Sequence, residues 1–211
     1  SRKNIDTYIY QENKGVLKLS ETINTGLDLS KGELVTMLPS DDYWPIYRLA
    51  KQVNYFKDNH VVLVHGKMSI IDENNNFIKY AKKPPKNHFA LNNHPIGSIF
   101  RYLLVENFIS QPTVLIRRKT LIKIGGYLQP IGNYAEDYPT HLELARHGKF
   151  KYIKEPTIAY YRQHSNQMTK THFPKMVHSD NELINLFFDK LTVKEKQNSK
   201  LDYKTIQSIL K

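Results

Sequence analysis

The chain contains no cysteine. Disulfides and thiolate metal sites are therefore excluded, which agrees with a reducing compartment such as the cytoplasm without requiring one. No apolar run approaches the roughly 20 residues of a helical membrane span, and no internal repeat is visible. Tryptophan occurs once, as Trp44. Acids are scarce relative to bases, 20 against 31, for a formal charge of +11. Such a surface attracts nucleic acid, anionic lipid or phosphorylated small molecules. The lysines are scattered along the chain rather than clustered with aromatics, so no nucleic-acid partner is expected. A solvated lysine-rich surface explains most of them. What remains is 211 residues at 40% hydrophobic content, enough for one domain with a sizeable core.

The most informative stretch is an apolar strand, Glu33 to Leu38, that runs into Pro39-Ser40-Asp41-Asp42-Tyr43-Trp44. Its body calls for burial in a sheet, and its end puts charge at the rim, where α/β sheets bind ligands. Two adjacent carboxylates repel unless solvent, hydrogen bonds or a cation intervene, and a divalent metal on phosphates is one such cation.

The pattern around this strand alternates. Ile5–Tyr10 reads as a strand. Val16, Leu19, Ile23 and Leu27 recur at helical spacing up to Lys31-Gly32. Pro45 opens a helix whose apolar face is Ile46, Leu49, Ala50, Val53 and Phe56. His60–His65 reads as a buried strand, and Ser69–Asp72 with Phe77–Tyr80 as a hairpin across Asn74-Asn75-Asn76. Residues 82–95 form the longest expected loop, with three prolines. A short helix is expected at Ile99–Leu104, a strand at Thr113–Ile116, and a helix at Leu121–Ile124 closed by Gly125-Gly126. Another helix follows Glu136-Asp137, then strands at Lys151–Ile153 and Thr157–Tyr161. Pro174 opens an amphipathic helix with Val177, Ile184, Phe187, Phe188 and Leu191. A Lys/Asn/Ser-rich linker and a last helix, Tyr203–Leu210, complete the pattern. This implies an α/β fold with a C-terminal helical extension.

Four motifs in order carry a family resemblance: Asn24-x-Gly26 with Gly32-Glu33 leading to Leu38-Pro39-Ser40-Asp41-Asp42; Gly125-Gly126-Tyr127; Glu136-Asp137-Tyr138; and Tyr161-Arg162-Gln163-His164. Together they resemble the family 2 glycosyltransferases of GT-A fold, over roughly residues 8–165. The resemblance implies a partial GT-A, Rossmann-like mixed sheet flanked by helices. Residues 1–172 would form the C-terminal part of the domain, and 173–211 a helical extension. The family's opening strands, which hold the nucleotide base, find no counterpart. The expectation is therefore a fragment, inactive as a transferase by itself. Pro39 stands where the family has the first acid of its metal motif.

By this resemblance Asp41 binds Mg²⁺ or Mn²⁺ on the donor's diphosphate, offsetting charge on the leaving phosphate. Asp42 assists or touches the sugar. Asp137 is the general base toward the acceptor hydroxyl, with Glu136 flanking it. His164 is a further metal ligand, and Arg162 pairs with diphosphate through its fork of donors or forms a salt bridge to Glu136 or Asp137. Asn24 and Gly26 support the donor site, and Gln111 lines the acceptor site. Each has a plainer alternative. Acids suit helix starts, a loop His is commonly solvated, Gly26 suits packing, and Trp44 suits a core as well as a sugar.

The implied activity is transfer of a sugar from a nucleotide-sugar, UDP on family grounds, to a saccharide, lipid-linked or protein acceptor, with inversion. Gln-x-x-Arg-Trp is absent, which favours single additions over polymer synthesis. Capsule, lipopolysaccharide and glycoprotein assembly stay open, as do homo-oligomerisation and peripheral contact at the inner face of the membrane through the lysines of helix 174–191. The rival reading is a non-catalytic GT-A remnant serving as a binding or scaffold module.

Overall fold

The computed structural model describes residues 11–86, 91–130, 132–165 and 167–209. The expected strand at Ile5–Tyr10 lies outside them, as does part of the 82–95 loop. The strands are β1 (Leu34–Val35), β2 (Val61–Gly66), β3 (Met68–Ile71), β4 (Phe77–Tyr80), β5 (Leu115–Arg117), β6 (Lys149–Ile153) and β7 (Ala159–Arg162). They form two mixed sheets, ordered β1-β5-β2-β6 and β4-β3-β7. β5 runs antiparallel to both β1 and β2, while β6 is parallel to β2. β2 is buried along its whole length, as its run of β-branched residues requires.

The helices are α1 (Leu19–Leu29), α2 (Arg48–Val53), α3 (Phe100–Leu103), α4 (Arg118–Lys123), α5 (Asp137–Leu144), α6 (Met168–Thr171), α7 (Phe173–Lys190), α8 (Val193–Ser199) and α9 (Tyr203–Ile209). None of the described helices is long and apolar enough to cross a membrane. The core runs from Leu63, Ile116 and Phe150 on the larger sheet through Phe100, Leu103 and Leu142 to Ile184, Phe187 and Phe188 of α7. The Phe100 and Phe187 rings meet edge-on at 5.2 Å. The helices after residue 172 thus share one core with the sheet.

Three expectations are corrected. The strand expected over Glu33–Leu38 pairs only at Leu34 and Val35. Beyond it the Val114 carbonyl accepts from Thr36 Oγ1 (2.6 Å) and Arg48 Nη2 (2.9 Å), so side chains replace the backbone ladder. The second correction is α2, whose expected apolar face points outward. Ile46, Leu49 and Val53 are exposed, whereas Arg48 and Gln52 are buried, with only Phe56 facing in as expected. Arg48 stacks on the Trp44 ring at 3.7 Å. Gln52 Nε2 donates to the carbonyls of Thr113 (2.7 Å) and Val64 (3.2 Å). These donors satisfy carbonyls on β2 and just before β5, while Arg48 Nε and Nη1 and Gln52 Oε1 are buried without a partner. The third is the expected linker after α7, which contains α8. Thr192 and Glu195 form a reciprocal capping box, and Glu195 also pairs with Arg146 at 2.8 Å.

Most other elements lie where expected within a residue or two, but α4 begins at Arg118, three residues before the expected Leu121, and α5 ends at Leu144. The Asn-rich turn places Asn75 at φ 68°, and the Asp72 carboxylate accepts from the Asn74 and Asn76 backbone. In α7 the expected anchors Ile184, Phe187, Phe188 and Leu191 are buried, while Val177 is exposed.

Candidate active site

The first acid pair stands in a turn after β1, where Asp42 N–H donates to Pro39 C=O (3.2 Å). The next residue anchors the turn to β7. Tyr43 and Tyr160 exchange backbone hydrogen bonds of 3.2 and 3.0 Å, and their rings stack at 4.5 Å. This lays the turn against the Tyr-Arg-Gln-His motif at the end of β7. Arg162 N–H donates to Asp42 Oδ1 (3.0 Å). The Arg162 guanidinium donates to the carbonyls of Asp41 (3.1 Å), Asp72 (3.3 Å) and Glu73 (3.2 Å). It therefore clasps two loops together, and it makes no salt bridge to Glu136 or Asp137. His164 Nε2 lies 3.1 Å from Asp41 Oδ2.

These neighbours separate the two aspartates. Hydrogen bonds from His164 and Ser40 hold Asp41 below the usual carboxylate range. Burial pushes Asp42 up to about 6, against the opposing Arg162 N–H bond. Asp42 Oδ2 is buried with no hydrogen-bond partner. Trp44 is committed to packing, since its Nε1 donates to Pro112 C=O at 2.8 Å and Arg48 covers its ring.

The second pair opens α5. Thr140 Oγ1 donates to Glu136 C=O (2.5 Å) and accepts from Leu128 N–H (2.8 Å), pinning the helix start to the segment after Gly125-Gly126-Tyr127. Glu136 is buried and Asp137 partly exposed. No described cation forms a salt bridge with either. Burial raises the pKa of both above the usual range, and for Glu136 the adjacent Asp137 charge adds to the rise. Asp180 of α7 adds another carboxylate, pushed to about 6 by burial and by Asp137.

Both pairs open onto one cleft of about 690 Å³, walled also by Pro39, Gln111 and Met176. Gln111 lines this cleft and reaches inward to His141 and Tyr127, contacts that leave no local mark in the sequence. Its Oε1 is 3.1 Å from His141 Nε2, and its amide reaches Tyr127 Oη at 3.4 Å. His141 and His65 are both fully buried and held neutral, near 3, chiefly by burial. The available signal was His141 one helical turn after Asp137, on the same face of α5.

Asn24 and Gly26 do not line this cleft. Asn24 clamps the glycine pair, donating to Tyr127 C=O (2.9 Å) and accepting from Tyr127 N–H (2.7 Å). Gly126, at φ 89°, leaves no room for a Cβ, which would meet Asn24 Oδ1 at 2.5 Å. Gly26 borders a neighbouring groove that shares Ile23 and Met37 with the cleft.

Among the described residues no three His, Asp or Glu side chains converge as a self-sufficient metal site. Asp41 and His164 still fit a hard cation that draws its other oxygens from substrate phosphates and water, which is how Mg²⁺ is commonly held. The partnerless Asp42 Oδ2 is a further acceptor beside them.

The sequence and the fold both have relatives. The chain is 29% identical over 127 residues to the O-antigen biosynthesis glycosyltransferase WbnJ of Escherichia coli, covering 60% of this chain and 45% of that protein. It is 31% identical over 98 residues to an uncharacterised glycosyltransferase of Haemophilus influenzae, covering 46% of this chain and 35% of that one. The chain thus spans half or less of the length of these relatives. The S. aureus TarS 1–349 structure with UDP-GlcNAc superposes with a TM-score of 0.61 at 15% identity, over 99% of this chain and 55% of that one. At that identity it speaks for the fold alone, which is the GT-A fold. A family model, glycosyltransferase like family 2, matches residues 1–204. With that match over nearly all of its length, the chain belongs to the family 2-like glycosyltransferases.

Proposed function

We propose that the cleft carries out transfer of a sugar from a nucleotide-sugar to an acceptor hydroxyl, with inversion at the anomeric carbon. The observation that carries this reading is the meeting of two acid pairs, distant in sequence, on one cleft. One pair sits beside a histidine and an arginine clasp. In the other, Glu136 is buried and Asp137 half-buried, and neither forms a salt bridge with a described cation.

Asp41, with His164, would hold Mg²⁺ or Mn²⁺ together with the donor's diphosphate. A bound divalent ion there supplies neutralisation of the charge left on the phosphate. Asp137 accepts the proton of the acceptor hydroxyl as that oxygen bonds to the anomeric carbon and the bond from that carbon to the diphosphate oxygen breaks. A carboxylate raised toward neutral pH is a better base than an ordinary one. Glu136 holds up its neighbour's affinity for the proton by charge. Asn24 keeps the Gly126-Tyr127 segment in place behind the second pair, Gly26 borders the groove leading to the donor side, and Arg162 sets the first turn.

UDP is the nucleotide favoured, in line with TarS, whose structure contains UDP-GlcNAc. A saccharide acceptor in cell-envelope polysaccharide assembly is favoured by the likeness to WbnJ, an O-antigen biosynthesis enzyme. Pro39, in place of an acid, favours the rival reading of a binding module without turnover. Product analysis with UDP-sugars and Mn²⁺ on the intact protein separates the two. Inverted product that disappears in Asp137→Asn supports transfer. Donor binding without any turnover, in hydrolysis as well as transfer, supports the rival.

A further inference from the structure

A second cavity, of about 630 Å³, lies apart from the acids and has the opposite charge. Four lysines border it: Lys67 between β2 and β3, Lys83 and Lys86 from the proline-rich loop, and Lys154 after β6. Its body is apolar, with Leu91 and Tyr152 among the lining residues. Glu155 also lines it, and that charge is taken by Lys67 at 2.5 Å. Lys83, Lys86 and Lys154 have no ion-pair partner among the described residues. Lysines dispersed over a surface need no ligand. Here three separate segments bring ammonium groups to one concavity, where mutual repulsion is relieved by an anion.

A groove lies between the cavity and the acid cleft, with Tyr80 as the contact on the cavity side. Lys67 Nζ sits 3.9 Å over the Tyr80 ring. Tyr80 borders a groove with Lys79 and Lys82, and that groove shares Asn107 and Ser110 with the acid cleft. We infer that the lysine cavity binds a phosphate group on the acceptor, placing it while the acceptor hydroxyl reaches Asp137. This deepens the transferase reading and rests on it for the acceptor's role, but not for the anion site itself. The apolar body suits a phosphate attached to a lipid, and the ammonium groups would equally hold a phosphorylated saccharide.

The test is isothermal titration of the intact protein with inorganic pyrophosphate in the presence of a chelator, which silences any metal-dependent donor site. Binding is expected in the wild type and in Asp41→Asn. It should weaken about tenfold or more in the triple variant Lys83→Ala/Lys86→Ala/Lys154→Ala, a change of about 1.4 kcal/mol or more. These lysines are at the surface, so equal thermal melting of the variant is expected. Flotation with phosphatidylcholine vesicles, with and without phosphatidylglycerol, identifies the source of the phosphate. Capture that needs the anionic lipid and the three lysines supports a lipid headgroup, and pyrophosphate binding without capture supports a soluble phosphate. No pyrophosphate binding, or equal binding by the triple variant, overturns the inference. Loss of UDP binding with pyrophosphate binding intact would instead count against the transferase reading alone.

Discussion

Asp41 sits among hydrogen-bond donors, whereas Glu136 and Asp137 sit among apolar walls and other carboxylates; Asp42, with one oxygen on Arg162 N–H and the other buried without a partner, stands between them. The first pair is fixed by β7, through Arg162 N–H on Asp42 and His164 on Asp41. The second is fixed by its own helix start and meets a further acid, Asp180, from α7. A carboxylate beside donors stays ionised and is suited to holding a cation. A carboxylate in a dry wall holds its proton more tightly and is suited to taking one. One cleft thus offers both properties at positions that the chain supplies separately.

The difference between the pairs is broken most strongly at Asp137. Asp137→Asn is expected to lower turnover by about 10²- to 10⁴-fold, the range of a lost general base, while donor affinity measured by titration stays within a few-fold. Asp41→Asn should do the reverse in kind. Activation by Mn²⁺ should shift to concentrations about 10- to 100-fold higher, and saturating Mn²⁺ should restore part of the rate. If both variants fail identically in binding and turnover, the two pairs do not differ in role.

The smallest effect sharpens the comparison through stability. An unfolded glutamate ionises near 4.3, roughly, and folded Glu136 ionises higher because it is buried. Between those values the native state binds more protons, so wild-type stability falls as pH rises through this window. Glu136→Gln removes that loss. Its stability relative to wild type should climb from about pH 4 to pH 7 and then level, by of order 1 kcal/mol. Denaturant melts at each pH would check this. Asp41→Asn should instead lose stability relative to wild type as pH rises toward about 4 and stay level above it, because Asp41 is held low and favours folding when ionised.

The elements of this fold were largely legible because apolar periodicity reports burial. The run Val61–His65 is buried as the pattern says, and so are the anchors Ile184, Phe187, Phe188 and Leu191, with His60 and Val177 the exposed exceptions. Helix α2 was misread for a physical reason. Periodicity counts apolar residues, and it cannot see that Arg48 and Gln52 have sheet carbonyls to satisfy. The capping box at Thr192 and Glu195 is legible as Thr-x-x-Glu inside a polar stretch that otherwise reads as a linker. At the site, the acids were legible as adjacent pairs. Their difference was not, because it depends on β7 crossing behind one pair and on α7 covering the other. The inward contact from Gln111 to the buried His141 has the same origin, since packing between non-adjacent elements leaves no local mark.

The most direct measurement is titration of UDP into the intact protein with and without Mn²⁺, on wild type, Asp41→Asn and Asp137→Asn. The division of labour between the acid pairs predicts Mn²⁺-dependent binding that needs more Mn²⁺ in Asp41→Asn and is kept unchanged in Asp137→Asn. Binding indifferent to Mn²⁺, or lost equally in both variants, would contradict it.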